Sequence, residues 1–202
     1  MEVREWSMKS LTITYVAIGL AIVATAQQTS TPVNEVHQLY TQDQADRGVG
    51  LAKSLPWEQI DPRDRSRRIR VHELLESNQL KTAEDFHDAA FIYQHGHDPE
   101  DYLLAHILAM VAVQKGDANS LWISAATLDR YLQSIRQPQV FGTQYNCADK
   151  SPCTQAPYNI DLVPNQLRAV FCVPDVEQQR ENIKAFDVGK YPDRILPPGC
   201  NR

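Results

Sequence analysis

Four histidines fall within one 20-residue stretch: His87, His95, His97 and His106. Neutral imidazole is the commonest protein ligand for a transition metal, and it titrates near neutral pH. The cluster therefore invites a metal site or acid–base chemistry. Helix geometry narrows the choice. At about 1.5 Å per residue, His95 stands ~12 Å along a helix from His87, and His106 stands ~10 Å along the next helix, which runs back. All four cannot hold one ion. His87 and His106 are expected at one level, with Asp129 on the following helix returning to it. His87 and His106 are then the candidate metal ligands, and His87 with Asp129 a candidate acid–base pair. The competing reading is a hydrogen-bond network that fixes helix register, because buried polar groups need partners.

A second constellation gathers at the opposite turn: His95-Gly96, Asp129-Arg130 and the segment Pro138–Gln144. Arg130 offers a planar fork for a carboxylate or phosphate, and Gln139, Thr143 and Gln144 offer amide and hydroxyl contacts. The alternative is an arginine that holds the loop's own carbonyls. The candidate catalytic residues are thus His95, His87 and Asp129, and the candidate ligand-binding residues Arg130, Gln139, Thr143 and Gln144. The chain has no serine nucleophile elbow, no HExxH and no paired CxxC motif, and nothing in it names a cofactor. Asp98 and Glu100 are explained by capping and the helix dipole.

Helices must position these groups. Thr31-Pro32 fits an N-cap followed by an N1 proline, opening a short helix to about Arg47. Asp61-Pro62 with Asp64 predicts a helix to about Ser77, with Ile69, Val71, Leu74 and Leu75 on its apolar side. Thr82 and Asp85 form a variant capping box for a helix to about Gln94, which His95-Gly96 closes as a left-handed stop. Asp98-Pro99 opens an apolar helix ended by Gly116, and Asp117 or Asn119 caps another over about 120–134. Short connections make these last three helices antiparallel neighbours. Ala89, Ala90, Ala105, Ala109, Ala112, Ala125 and Ala126 line them, which resembles tetratricopeptide-like helix pairing. Beyond Ser134, residues 137–145 and 158–163 read as two strands of a small hairpin across a cysteine loop. Short helices are expected over about 165–171 and 174–186.

The composition bounds the rest. The 202 residues carry a net charge of −5, and removing residues 1–26 takes two charges of each sign. No electrostatic footprint for nucleic acid or anionic lipid remains. The five arginines of Arg63–Arg70 are interleaved with acids and read as a solvated helix face. Leu11–Ala24 has the length of a signal-peptide apolar region, and Ala24-Thr25-Ala26 fits a cleavage site. Residues 1–26 are therefore read as a signal peptide, 27–56 as a partly helical segment, 57–188 as the main domain and 189–202 as a Pro-rich tail. Met8 is the cleaner start. The alternative is an inner-membrane anchor over 11–26. Cleavage would leave no stable membrane anchor, and a periplasmic or secreted protein. Four cysteines, Cys147, Cys153, Cys172 and Cys200, suit disulfides in such a compartment. Cys147–Cys153 with Cys172–Cys200 is the favoured pairing of the three possible.

The segments Asp85–Gly96, Ala125–Arg130 and Pro138–Gln144 together resemble a family of uncharacterised bacterial proteins. That family repeats a His-Gly step, an Asp-Arg step and a Pro-Gln-x-aromatic-Gly-Thr-Gln step in this order. The resemblance covers about residues 57–186. It implies a helical bacterial domain and singles out His95, Asp129, Arg130, Gln139, Thr143 and Gln144, without implying an activity. The fold expected is mainly α: an antiparallel helical bundle with a small C-terminal hairpin region. The function expected is an exported module that binds a small ligand or peptide. A hydrolase using His95 or His87 with Asp129 and Arg130 is the alternative, and a structural envelope protein the third reading.

Overall fold

The computed structural model describes residues 34–48, 54–147, 152–190 and 200. The expected signal segment, the expected cap at Thr31-Pro32 and nearly all of the tail lie outside these residues. Among the described residues there are seven helices and no strand: α1 Glu35–Asp46, α2 Trp57–Glu76, α3 Ala83–Tyr93, α4 Pro99–Gln114, α5 Ser120–Ser134, α6 Asn165–Val170 and α7 Val176–Asp187. None of them is long and apolar enough to cross a membrane.

Local chemistry sets the boundaries. The N-cap of α1 is Asn34, whose side chain accepts from the His37 amide. α2 starts one turn earlier than the sequence suggests, after Pro56, and Pro62 lies inside it. There Pro62 removes only one backbone donor, in the second turn of a 20-residue helix. The capping box of α3 forms as expected: the Asp85 amide donates to Thr82 Oγ1 (3.1 Å), and the Thr82 amide donates to Asp85 Oδ2 (2.8 Å). Gly116 ends α4 at φ +102°. Gly96, by contrast, is not left-handed. A Cβ there would stand 2.2 Å from Asp101 Cβ, so close approach requires the glycine.

Hydrogen bonds between helices give the directions of the bundle. His87, early in α3, meets Ser120 at the start of α5, and Gln94 past the end of α3 meets Arg130 late in α5. α3 and α5 thus run parallel, with α4 returning between them. α1 also runs with α3, since Asn34 meets Asp85 and His37 meets Asp88. α2 runs against α1, pairing Arg70 with Glu35 and Arg63 with Asp46. All seven alanines of the expected small-residue lining are buried, which lets these helices approach closely. The core joins Ala89, Ala90, Ala105 and Ala109 to Val36, Val71, Leu74, Leu80, Ile92, Leu108 and Ile123. α4 is central but not enclosed, because Ile107 and Met110 face outward.

α2 departs from its expected pattern. Its buried stripe is Ile60, Asp64, Arg67, Val71 and Leu74, while Ile69 is 55% exposed. The arginine run is therefore not a purely solvated face. Arg67 is 4% exposed and donates to Asp46 (2.7 Å) and Asp64 (2.5 Å). Arg47 joins Asp43 and Asp64, and Arg63 joins Asp46. Three carboxylates and three guanidiniums balance at the α1–α2 contact.

The C-terminal region packs a second small core of Ala125, Phe141 and Val173. No β-hairpin forms there among the described residues. Gln139 and Tyr158 meet in one parallel bridge, and Asn146 and Thr154 in one antiparallel bridge. Side-chain amides carry the pairing that a ladder would supply. Cys147 is bonded to Cys153, and Cys172 to Cys200, as favoured. In the chain-entropy view each bridge contributes about 2–4 kcal/mol.

Candidate functional site

The expected turn-end site is assembled, and its polar groups are turned inward. Asp129 is fully buried and accepts from the amides of Val140, Phe141 and Thr143 and from Thr143 Oγ1, all at 2.8–2.9 Å. Arg130 donates to the Gln94 carbonyl (2.7 Å) and to Gln144 Oε1 (3.2 Å), and its guanidinium lies over the Tyr102 ring. Gln139, also fully buried, donates to the Gln144 carbonyl (2.9 Å) and accepts from the Gln144 amide (3.0 Å). Gln144 Nε2 donates to the Ala126 carbonyl. The four candidate ligand-binding residues thus bond one another, Asp129 and nearby backbone, the arrangement of a loop clamp.

Residues outside the candidate set complete the clamp. Arg168 is fully buried and donates to the carbonyls of Phe141 and Ile160. Gln155 and Gln179 reach the carbonyls of Gly142 and Phe141. Gly142 has φ +77°, and a Cβ there would stand 2.2 Å from Gln179 Oε1. Gly142→Ala is expected to cost about 3 kcal/mol, from backbone strain and overpacking together. A lowered urea midpoint in equilibrium unfolding checks it.

His95 lies on the bundle side of this clamp. Its Nε2 stands 3.6 Å from Asp43 Oδ2, beyond a hydrogen bond. Burial and the nearby Arg47 and Arg130 guanidiniums push its pKa down to about 3. The ring is neutral at pH 7. The unfolded chain binds the proton first, so stability attributable to this residue is full above about pH 6.5 and is lost as pH falls toward 3. Between pH 7 and pH 5 the parent protein is expected to lose about 2 kcal/mol more than His95→Gln. Parallel urea titrations at the two pH values measure this difference.

The expected level set of His87, His106 and Asp129 does not form. His87 meets Ser120, and His106 donates Nδ1–H to the Ser124 carbonyl (2.9 Å). Those partners lie one helical turn apart on α5, with Asp129 about 7 Å beyond the second. Asp129 bonds no histidine among the described residues. Neither the His87–His106 metal pair nor the His87–Asp129 acid–base pair is assembled.

The structure instead places His87 in a different polar group. His37 and Tyr40 of α1, Glu84, His87 and Asp88 of α3, and Lys115 and Asp117 of the α4–α5 turn line a cavity of about 550 Å³. His87 Nδ1 is 2.8 Å from Ser120 Oγ and 3.0 Å from Asp117 Oδ2, and Ser120 Oγ donates to Asp117 (2.6 Å). This is no nucleophilic triad. Serine and aspartate share one ring nitrogen, and Ser120 is fully buried. Asp117 fixes the ring, and Nε2 has no partner among the described residues.

Opposite it, His37 Nδ1 bonds Asp88 Oδ2 (2.9 Å) and lies 3.6 Å from Glu84 Oε1. Asp88 is 2% exposed. Burial raises the pKa of Asp88, against the opposing pull of His37, and the bond to Asp88 raises that of His37. Glu84 and Asp88 stand at i and i+4, on one face of α3. That spacing is visible in the sequence, but His37 reaches them only through the docking of α1 on α3.

No family model, no curated protein and no solved structure matches this chain. The resemblance to the uncharacterised bacterial family rests on its motif residues alone, and in this structure most of those residues belong to the loop clamp.

Proposed function

We propose that this chain is an exported helical module that binds a small polar ligand in the cavity between α1, α3 and the α4–α5 turn. The observation that carries the reading is the cavity itself. It is an opening of about 550 Å³ with Glu84, Asp88, Asp117, Lys115 and two histidines on its wall. Ligand sites are concave and combine apolar area with a few convergent polar groups, and here Tyr40 supplies apolar wall. Export is supported by the apolar segment Leu11–Ala24 and by the pairing of all four cysteines. Both support a periplasmic or secreted location, with a membrane anchor over 11–26 as the alternative. Tetratricopeptide-like packing of α3, α4 and α5 is the geometry we assign to the scaffold. The hydrolase reading lacks its acid–base pair, since Asp129 is committed to the loop.

A thermal-shift screen of the full chain, with both disulfides formed, tests this reading against metals, nucleotides, sugars and peptides. A ligand at 100 times its Kd is expected to stabilise by about 2.7 kcal/mol. The shift should vanish in His87→Ala and persist in Gln144→Ala. A shift lost in Gln144→Ala and kept in His87→Ala would move the site back to the turn end. No shift with any class would favour the structural envelope reading.

A further inference from the structure

Three side chains on the wall of this cavity form a set that the ligand-binding reading does not by itself require. His37, Glu84 and Asp88 each offer one ligand atom, and these atoms all lie within 4.8 Å of one another. We propose that they bind a divalent transition-metal ion, of the Zn²⁺ class, which bridges α1 to α3. This deepens the small-ligand reading and rests on it, because it names the ligand class of the same cavity.

The donor set selects the ion. One imidazole nitrogen and two carboxylate oxygens suit zinc and its first-row neighbours. Calcium takes six to eight oxygen ligands, and magnesium is a hard cation that takes oxygen ligands in near-ideal octahedral geometry and keeps several waters, so neither makes use of the imidazole. Bonds of about 2.0–2.2 Å place two donors no more than roughly 4.4 Å apart across one ion. His37 to Asp88 and His37 to Glu84 already meet that limit, at 2.9 and 3.6 Å. Glu84 is 64% exposed at its side chain, so it is free to close the remaining distance.

A second observation points the same way. Asp88 is 98% covered yet has a single hydrogen-bond partner, the half-exposed ring of His37. A buried carboxylate normally gathers several donors, as Asp129 and Asp85 do here. Asp88 has none from the backbone, and it lines the cavity. Three protein donors leave the ion at least one open position toward the cavity, the arrangement that admits water or a ligand group.

Isothermal titration of the full chain with Zn²⁺ at pH 7, after chelator treatment and dialysis, tests the proposal. One saturable site per chain is expected. His37→Ala and Asp88→Asn should each weaken it at least tenfold, while His72→Ala, exposed on α2 and not part of the cavity wall, should leave it unchanged. His37 is half exposed, so its variant is expected to fold. A Co²⁺-loaded parent should show the visible d–d absorption of a four- or five-coordinate site, which His37→Ala should lack at the same Co²⁺ concentration. No saturable binding by the parent, or parental affinity in both ligand variants, would overturn the inference. A screen that finds an organic ligand while Zn²⁺ fails to bind would also overturn it and leave the small-ligand reading standing. Saturable Zn²⁺ binding lost in His37→Ala, with no organic ligand found, would support it.

Discussion

Asp129→Ala is expected to lower stability by about 4 kcal/mol. Its two oxygens accept four hydrogen bonds from a loop that has no strand ladder of its own. Bonds to a charged acceptor contribute more than neutral ones, and a buried donor left without a partner costs about 1–3 kcal/mol. The amides of Val140, Phe141 and Thr143 would lose that partner together. Asp129→Asn should fall between the parent and alanine, since its amide nitrogen faces donors where an oxygen stood. Equilibrium urea unfolding checks all three proteins. Hydrogen exchange should show residues 139–144 losing protection first, ahead of α3 and α4. A stability within about 1 kcal/mol of the parent would mean that water replaces the carboxylate, and that the loop is not clamped.

Arg67→Met is expected to cost about 3–5 kcal/mol, although methionine fills much of the same space. The arginine bonds Asp46 and Asp64 and lies 3.7 Å from Asp43. Removing it leaves three buried carboxylates facing two guanidiniums. The loss should shrink as pH falls toward 5, because burial has already pushed Asp43 up to about 6 and protonation relieves the excess charge. For such a raised carboxyl the native state binds the proton first, so its own contribution to stability grows on acidification. A variant whose deficit is the same at pH 7 and pH 5 would mean that packing, not charge, accounts for the cost.

The helices were legible because their signals are local. Thr82 and Asp85 form the capping box, Pro99 takes the first turn of α4, and Gly116 adopts the positive φ that ends it. The seven alanines announced close packing. α2 departs from local expectation in two ways. Pro62 suggests a helix start, though the helix accommodates it in its second turn, and the charges of Asp64 and Arg67 suggest solvation, though both are buried. Charged residues are buried only where opposite charges await them. Those here come from Asp43, Asp46 and Arg47, on another helix.

The same non-locality governed the sites. Asp129, Arg130, Gln139, Thr143 and Gln144 lie together because the segment 135–144 follows directly on α5. Whether they face a ligand or one another depends on hydrogen-bond partners that spacing does not encode. His37 stands 47 positions before Glu84, and no pattern in either segment points to the other. Only the docking of α1 on α3 creates the cavity.

The most direct test of the account is a backbone amide chemical-shift map of the ¹⁵N-labelled protein, recorded while adding the compound or ion with the largest thermal shift. The account predicts perturbations confined to residues 37–40, 84–88 and 115–120. Perturbations centred on residues 94–96, 130 and 139–144 would contradict it, and would return the binding site to the loop clamp.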